Sequence, residues 1–172
     1  MAKKSVNPNA GHSREWWNNR IASLERKVCR SGKELQAVLT EIVEAHRGRL
    51  RDAIVSAVVK EFANLVIATP QRLGRARAGW QMAPEVSEWT PPDIKPVKGQ
   101  SGPLPEYLAL VEKHLREARD LKLVEADVIY IMNNVEYILA LEAGWSVQAP
   151  QGFIGVFINR LKTQISAAVK AL

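Results

Sequence analysis

The first periodic block of apolar residues is Trp17, Ile21, Leu24 and Val28, spaced four, three and four. That spacing puts them on one face of a helix running from Arg14 to Arg30, and Trp16 widens the face. Ser31-Gly32 interrupts it. Ser31 followed by Glu34 is a capping box, in which the hydroxyl accepts from a first-turn N–H and the carboxylate can return the bond. The stripe that follows comprises Leu35, Val38, Leu39, Ile42, Leu50, Ile54, Ala57, Val58, Phe62, Leu65 and Val66, and it predicts a helix reaching Ala68. In one piece that helix would be about 57 Å long at ~1.5 Å per residue, longer than a small domain is wide. Gly48 and the thinning of the stripe at Ala45 and His46 therefore predict either a kink or a helix that reaches a neighbouring subunit. Thr69-Pro70 ends the element, because the residue before proline is pushed out of the helical region.

From Arg75 to Ala83 the pattern switches to alternation. Ala76, Ala78, Trp80 and Met82 share one face, while Arg75, Arg77, Gly79 and Gln81 share the other. This predicts a half-buried strand with the arginines outward, opposite Trp80. Six of the nine prolines fall between Pro84 and Pro105, so 84–105 reads as a long extended loop or arm. Leu104, Leu108, Val111, Leu115 and Ala118 then define a second amphipathic helix to about Lys122. Val128 to Met132, β-branched, aromatic and apolar on both faces, reads as a central strand. Asn133-Asn134 turns the chain, and Glu136 to Ala143 forms a short helix closed by Gly144 at its C′ position. After the loop Ala149-Pro150-Gln151-Gly152 comes a last helix with Ile154, Phe157, Ile158, Leu161, Ile165, Ala168 and Leu172 inward. The expected fold is α+β: a small, mainly antiparallel sheet packed by helices, with a long N-terminal helix and a C-terminal helix. Residues 1–30 form a basic N-terminal arm and helix, and 31–172 a single domain.

Composition narrows the function classes. At 172 residues and 47% apolar the chain can bury one core, which excludes wholesale disorder. The longest apolar stretch, Ala53 to Ala68, contains Lys60 and Glu61, so no membrane span is expected, and the start of the chain lacks the apolar core of a secretory signal. Cys29 is alone and His12, His46 and His114 are scattered, so neither a disulfide framework nor a metal site is expected, and no cofactor is called for. The net charge is +6, and residues 1–30 carry seven basic side chains against Glu15 and Glu25, which is +5 of that total. A basic arm on a nearly neutral body suggests contact with something anionic, with Lys3, Lys4, Arg14 and Arg20 as the candidate contacts.

No phosphate loop, nucleophile with a base, or carboxylate pair stands out, so an enzyme is not expected. Two segments carry more information. The first holds Thr69, Pro70, Gly74, Arg75, Arg77 and Trp80; the second holds Asn133, Asn134, Tyr137, Leu141, Glu142, Gly144, Ser146, Gln148, Ala149, Pro150 and Gly152. In order and relative placement they resemble the siphophage tail-completion (neck, or minor tail) family of the lambda Z kind. The resemblance covers roughly residues 35–172. It departs from the family pattern just before the turn glycine, where an Asp and a small hydroxyl residue are usual and Arg72 and Leu73 stand here.

The resemblance implies a non-enzymatic virion protein, assembled in the host cytoplasm, that completes or caps the phage tail and helps join it to the head as a ring around the DNA channel. Its implied partners are other copies of itself, a tail terminator or tail tube protein, and a head-closure or connector protein, with non-specific contact to channel DNA and no membrane. Arg72, Arg75, Arg77 and Trp145 are candidate interface residues, since tryptophan concentrates binding energy at interfaces. Trp16 and Trp17 join them, because two adjacent indoles near a terminus are hard to bury in one small domain. The rival reading is a nucleic-acid-binding module that uses the basic arm; against it, the basic residues are not interleaved with aromatics in a known binding pattern.

Overall fold

The computed structural model describes residues 13–27, 31–120 and 128–170; Lys3, Lys4, Val28, Cys29, Arg30, Lys122 and Leu172 lie outside the described residues. The fold is α+β and dominated by helices. Helix α1 spans Arg14–Glu25 and α2 spans Gly32–Ala68 without a break. Ser31 caps α2, its side chain accepting from the Glu34 N–H at 3.2 Å. At 37 residues α2 is about 55 Å long.

Gly48 does not kink the helix; it receives α1. A Cβ at Gly48 would lie 2.6 Å from Trp17 Cζ2. The bare backbone there lets the indole's six-membered ring press against α2, and Trp17 Nε1 donates to Asp52 Oδ2 at 2.7 Å. Trp17 is only 1% exposed and clusters with Ile21, Leu24 and Ala45. The expectation that Trp17 meets a partner is therefore corrected: it is the core of the α1–α2 hairpin. Trp16 is half-buried and stands edge-on to it, with ring centroids 4.7 Å apart. α1 covers one side of α2 only, leaving Leu35, Leu39 and Val43 exposed.

The C-terminal half of α2 carries the main core. Val58, Phe62, Leu65 and Val66 pack with Trp80, Met82, Ala118, Ile138, Phe153 and Phe157. Helix α6 (Ile154–Lys170) lies along α2. Its inward stripe includes Ile154, Phe157 and Leu161, whereas Ile158, expected inward, is exposed.

Residues 75–78 form a helical turn, α3 (Arg75–Ala78), instead of the first half of a strand. Alternation over four residues is weak evidence when alanine and arginine are both strong helix formers. Gly74, with φ +106°, lets the chain leave the Pro70 segment and enter that turn. Strand β1 is confined to Trp80–Ala83 and pairs antiparallel with β2 (Tyr130–Asn133), Trp80 opposite Asn133 and Ala83 opposite Tyr130. The ladder ends at the Ala83–Tyr130 pair, and Pro84, next in the chain, has no N–H with which to extend it. The apolar strand expected to be central is an edge: β1 is its only strand neighbour among the described residues, and Val128 and Tyr130 are exposed. Helix α4 (Pro105–Asp120) packs on α3 and β1, and the short α5 (Ile138–Ala140) runs into a π turn, Leu141–Trp145. No described helix is long and apolar enough to cross a membrane.

Candidate assembly interface

The segment after α2 is held by a buried polar junction. Thr69 is fully buried, and its hydroxyl donates to the Leu65 carbonyl at 2.8 Å while accepting from Trp80 Nε1 at 2.8 Å. Pro70 is buried beside it. Arg77 reaches back from α3 to the same place. Its Nε donates to the Thr69 carbonyl and its Nη2 to the Ile67 carbonyl, both at 2.7 Å, and its Nη1 bonds Gln71 Oε1. A guanidinium on the last carbonyls of a helix satisfies orphan acceptors and meets the negative end of the helix dipole. Burial lowers its pKa from the ordinary arginine value. The expectation of Arg77 on an outward strand face is thus corrected: the residue closes α2.

The loop bearing Trp145 is tied to that junction. Gln148 brackets Gln71, accepting its N–H at 2.8 Å and donating Nε2 to its carbonyl at 2.9 Å. Glu142 caps α6 from eleven to thirteen residues upstream: Oε2 accepts the Phe153 and Ile154 N–H groups at 2.7 Å each, and Oε1 the Gly155 N–H at 3.1 Å. Burial works to raise the Glu142 pKa, but the three N–H donors outweigh it and hold the carboxyl below its ordinary value. Gly144 (φ +88°) lies where a Cβ would come 2.5 Å from the Pro150 carbonyl oxygen, and Gly152 (φ +77°) where one would come 2.5 Å from the Glu142 carbonyl oxygen. Two stretches of backbone therefore touch at both glycines, and only residues lacking Cβ permit it.

This frame holds an apolar crest out of the surface. Trp145 is 83% exposed, Val147 96% and Leu139 75%. Exposed apolar side chains that group into one patch mark an interaction surface.

Beside the crest-bearing loop lies a cavity of about 340 Å³ between the Pro70–Ala76 segment, α4 and the α5 turn. Leu73, Tyr107, Tyr137 and Leu141 wall it, with Arg72 and Arg75 also lining it. Tyr107 is locked, its hydroxyl donating to the Pro92 carbonyl at 2.7 Å and accepting from the Ile94 N–H at 2.8 Å. Arg75 bonds Glu136 at 2.6 Å and the Pro91 carbonyl at 3.3 Å. The Glu136 hydrogen bond raises the Arg75 pKa and lowers that of Glu136. Arg75, too, is fixed within its own chain and not on a solvated strand face. Arg72 is exposed.

The remaining motif residues also serve this frame. Asn133 Nδ2 donates to the Ala76 carbonyl at 2.8 Å and its Oδ1 accepts the Val135 N–H at 3.1 Å. Asn134 Nδ2 holds the proline-rich arm through the Ser87 and Trp89 carbonyls at 2.7 and 3.2 Å. The structure thus gathers Thr69 through Trp80 and Asn133 through Gly152 around one junction. It does not bring Trp16, Trp17, Arg14 or Arg20 there: Arg20 faces Glu41 at 3.7 Å on the α1–α2 hairpin, and Arg14 opens α1. Sequence reasoning missed Val147 and Leu139 as crest residues and Tyr107 as a pocket wall; Val147, apolar between turn-forming residues, was the available signal. No family model matches the chain, and no curated protein or solved structure is significantly similar to it.

Proposed function

We propose that this chain is a structural virion protein of the head–tail joint of a long-tailed phage, completing the tail and joining it to the head as a ring of copies around the DNA channel. The observation that carries the reading is the apolar crest of Leu139, Trp145 and Val147, exposed and yet held by the Glu142 cap, the Gly144 and Gly152 contacts and the Gln148 bracket. A rigidly mounted tryptophan loses little conformational entropy on docking, the economy expected of an assembly surface. The motif resemblance supplies the setting, because the residues that carry it build the mount. A second apolar surface, Leu35, Leu39 and Val43, lies toward the N-terminal end of α2, with Leu39 about 44 Å from the helix's C-terminal end at ~1.5 Å per residue. Two separate apolar surfaces on one subunit suit heterologous contacts, which form a ring where the rotation between copies closes. The test is electron microscopy of particles assembled without the chain. Filled heads and separate tails are expected; joined particles at normal yield would contradict the reading.

A further inference from the structure

The assembly reading leaves open what receives Trp145, and the inference drawn next rests on that reading. We propose that the Trp145 indole of one copy inserts into the Leu73–Tyr107–Tyr137–Leu141 pocket of a second copy. Four observations point to it.

The knob does not occupy the pocket of its own chain in the observed fold: Trp145 is not among the pocket's lining residues and is 83% exposed. The hole has the right size and surface. At about 340 Å³ it sits at the small end of ligand cavities, suited to one large side chain, and two tyrosines, two leucines and Pro70 line it. It is also preformed. Tyr107 is pinned at its hydroxyl by Pro92 and Ile94, Arg75 is pinned by Glu136 and Pro91, and at Gly74 a Cβ would already touch Tyr107 Cβ at 3.0 Å. Finally, the charges suit a copy of this same chain. Its net charge of +6 makes copies repel, but Trp145-Ser146-Val147 is uncharged. The charged groups lining the pocket are Arg72, Arg75 and Asp93; Arg75 is already paired with Glu136, so an uncharged indole enters without adding a charge and with the exposed Arg72 within reach for a cation–π contact.

Knob and hole also have a fixed mutual orientation. Gln148, on the knob loop, is bonded to Gln71, on the segment that forms the pocket. Each copy therefore presents its indole at a set angle to its pocket, and repeating one such contact generates a rotation, which closes as a ring or winds as a filament.

Sedimentation of the full chain from micromolar to millimolar concentration tests this. Trp145→Ala and Tyr137→Ala should each weaken self-association by about 30-fold, the scale of an interface hot spot. Arg72→Glu, at an exposed position, should do the same should Tyr137→Ala fail to melt like the parent. An equimolar mixture of the Trp145→Ala and Tyr137→Ala chains should form dimers that do not grow, one partner supplying the pocket and the other the indole. If the Tyr137→Ala and Arg72→Glu chains associate as the parent does while Trp145→Ala does not, the pocket is not the receptor and this inference falls, with the assembly reading intact. A mixture that stays monomeric, or a parent chain monomeric up to millimolar concentration, likewise overturns it. Joined particles formed without the chain would instead defeat the assembly reading itself.

Discussion

Arg77→Ala separates a residue of the fold from a residue of the interface. The substitution strips the Thr69 and Ile67 carbonyls and Gln71 Oε1 of their donor. Thr69 is fully buried, so its carbonyl cannot recruit water freely, whereas Ile67 is exposed and its carbonyl can. A hydrogen bond to a charged group contributes roughly 1.5–3 kcal/mol, and a cation on a helix C-terminus about 0.3–1 kcal/mol. Counting the Thr69 bond in full and discounting the two more accessible ones gives a loss of about 2–3 kcal/mol. For a chain of this size ~1 kcal/mol moves Tm by about 2–4 °C, so the variant should melt roughly 4–12 °C lower by circular dichroism. Arg77→Lys should recover only part of this, because one ammonium cannot span three acceptors in fixed directions. The contrasting Trp145→Ala, at an 83% exposed position, should melt like the parent. An Arg77→Ala chain melting within about 1 °C of the parent would refute the reasoning and free the arginine for an assembly role.

Three further outcomes follow from the same packing. Glu142→Gln should cost about 1.5–3 kcal/mol at neutral pH, read by denaturant unfolding. Because the folded carboxyl is depressed by its N–H donors, that stability is present above the unfolded value of about 4.3 and is lost as pH falls through the folded pKa, so the gap between parent and variant should close in acid; a constant gap would show that charge is not what caps α6. Gly48→Val drives a side chain into the Trp17 ring and should cost about 1–3 kcal/mol while red-shifting tryptophan fluorescence; an unchanged spectrum would mean α1 is not seated there. Glu61 is 3% exposed and its Oε2 has no hydrogen-bond partner among the described residues, so Glu61→Gln should hold or raise stability, by up to about 1 kcal/mol; a loss larger than that would reveal a partner for the charge.

Helices were legible where the stripe was long. The C-terminal half of α2, α4 and α6 were all readable from 3.6-residue periodicity, because each lays one face on a core. Arg75 to Ala78 was misread because four alternating residues span barely one helical turn, and Ala and Arg side chains say little about which period holds. The apolar run ending at Met132 was read as central from composition alone. Where the strand sits depends on which neighbours the topology provides, and Pro84 shortens the one it has. Trp17 is expected at a partner because two adjacent indoles near a terminus are hard to bury in one small domain; the room for it comes from Gly48, 31 residues away, which no local pattern links to it. The motif residues were legible as a set, yet their work was not: Glu142 reaches across to an N-terminus eleven to thirteen residues away, and Gln148 across 77 residues to Gln71. The cavity draws its walls from segments near residues 73, 107, 137 and 141, and no local pattern joins those. Exposure of Trp145 is likewise a property of the assembled frame, although its place just beyond a helix end hinted at it.

The central claim is that the Trp145 crest serves assembly and not folding, and particle formation with the Trp145→Ala chain as the sole source of this protein measures that directly. The account predicts a chain with the parent's melting temperature and far-ultraviolet spectrum, present in the infected cell, alongside filled heads and unjoined tails in the electron microscope. Joined, infectious particles at the parent's yield from that same folded chain would contradict it.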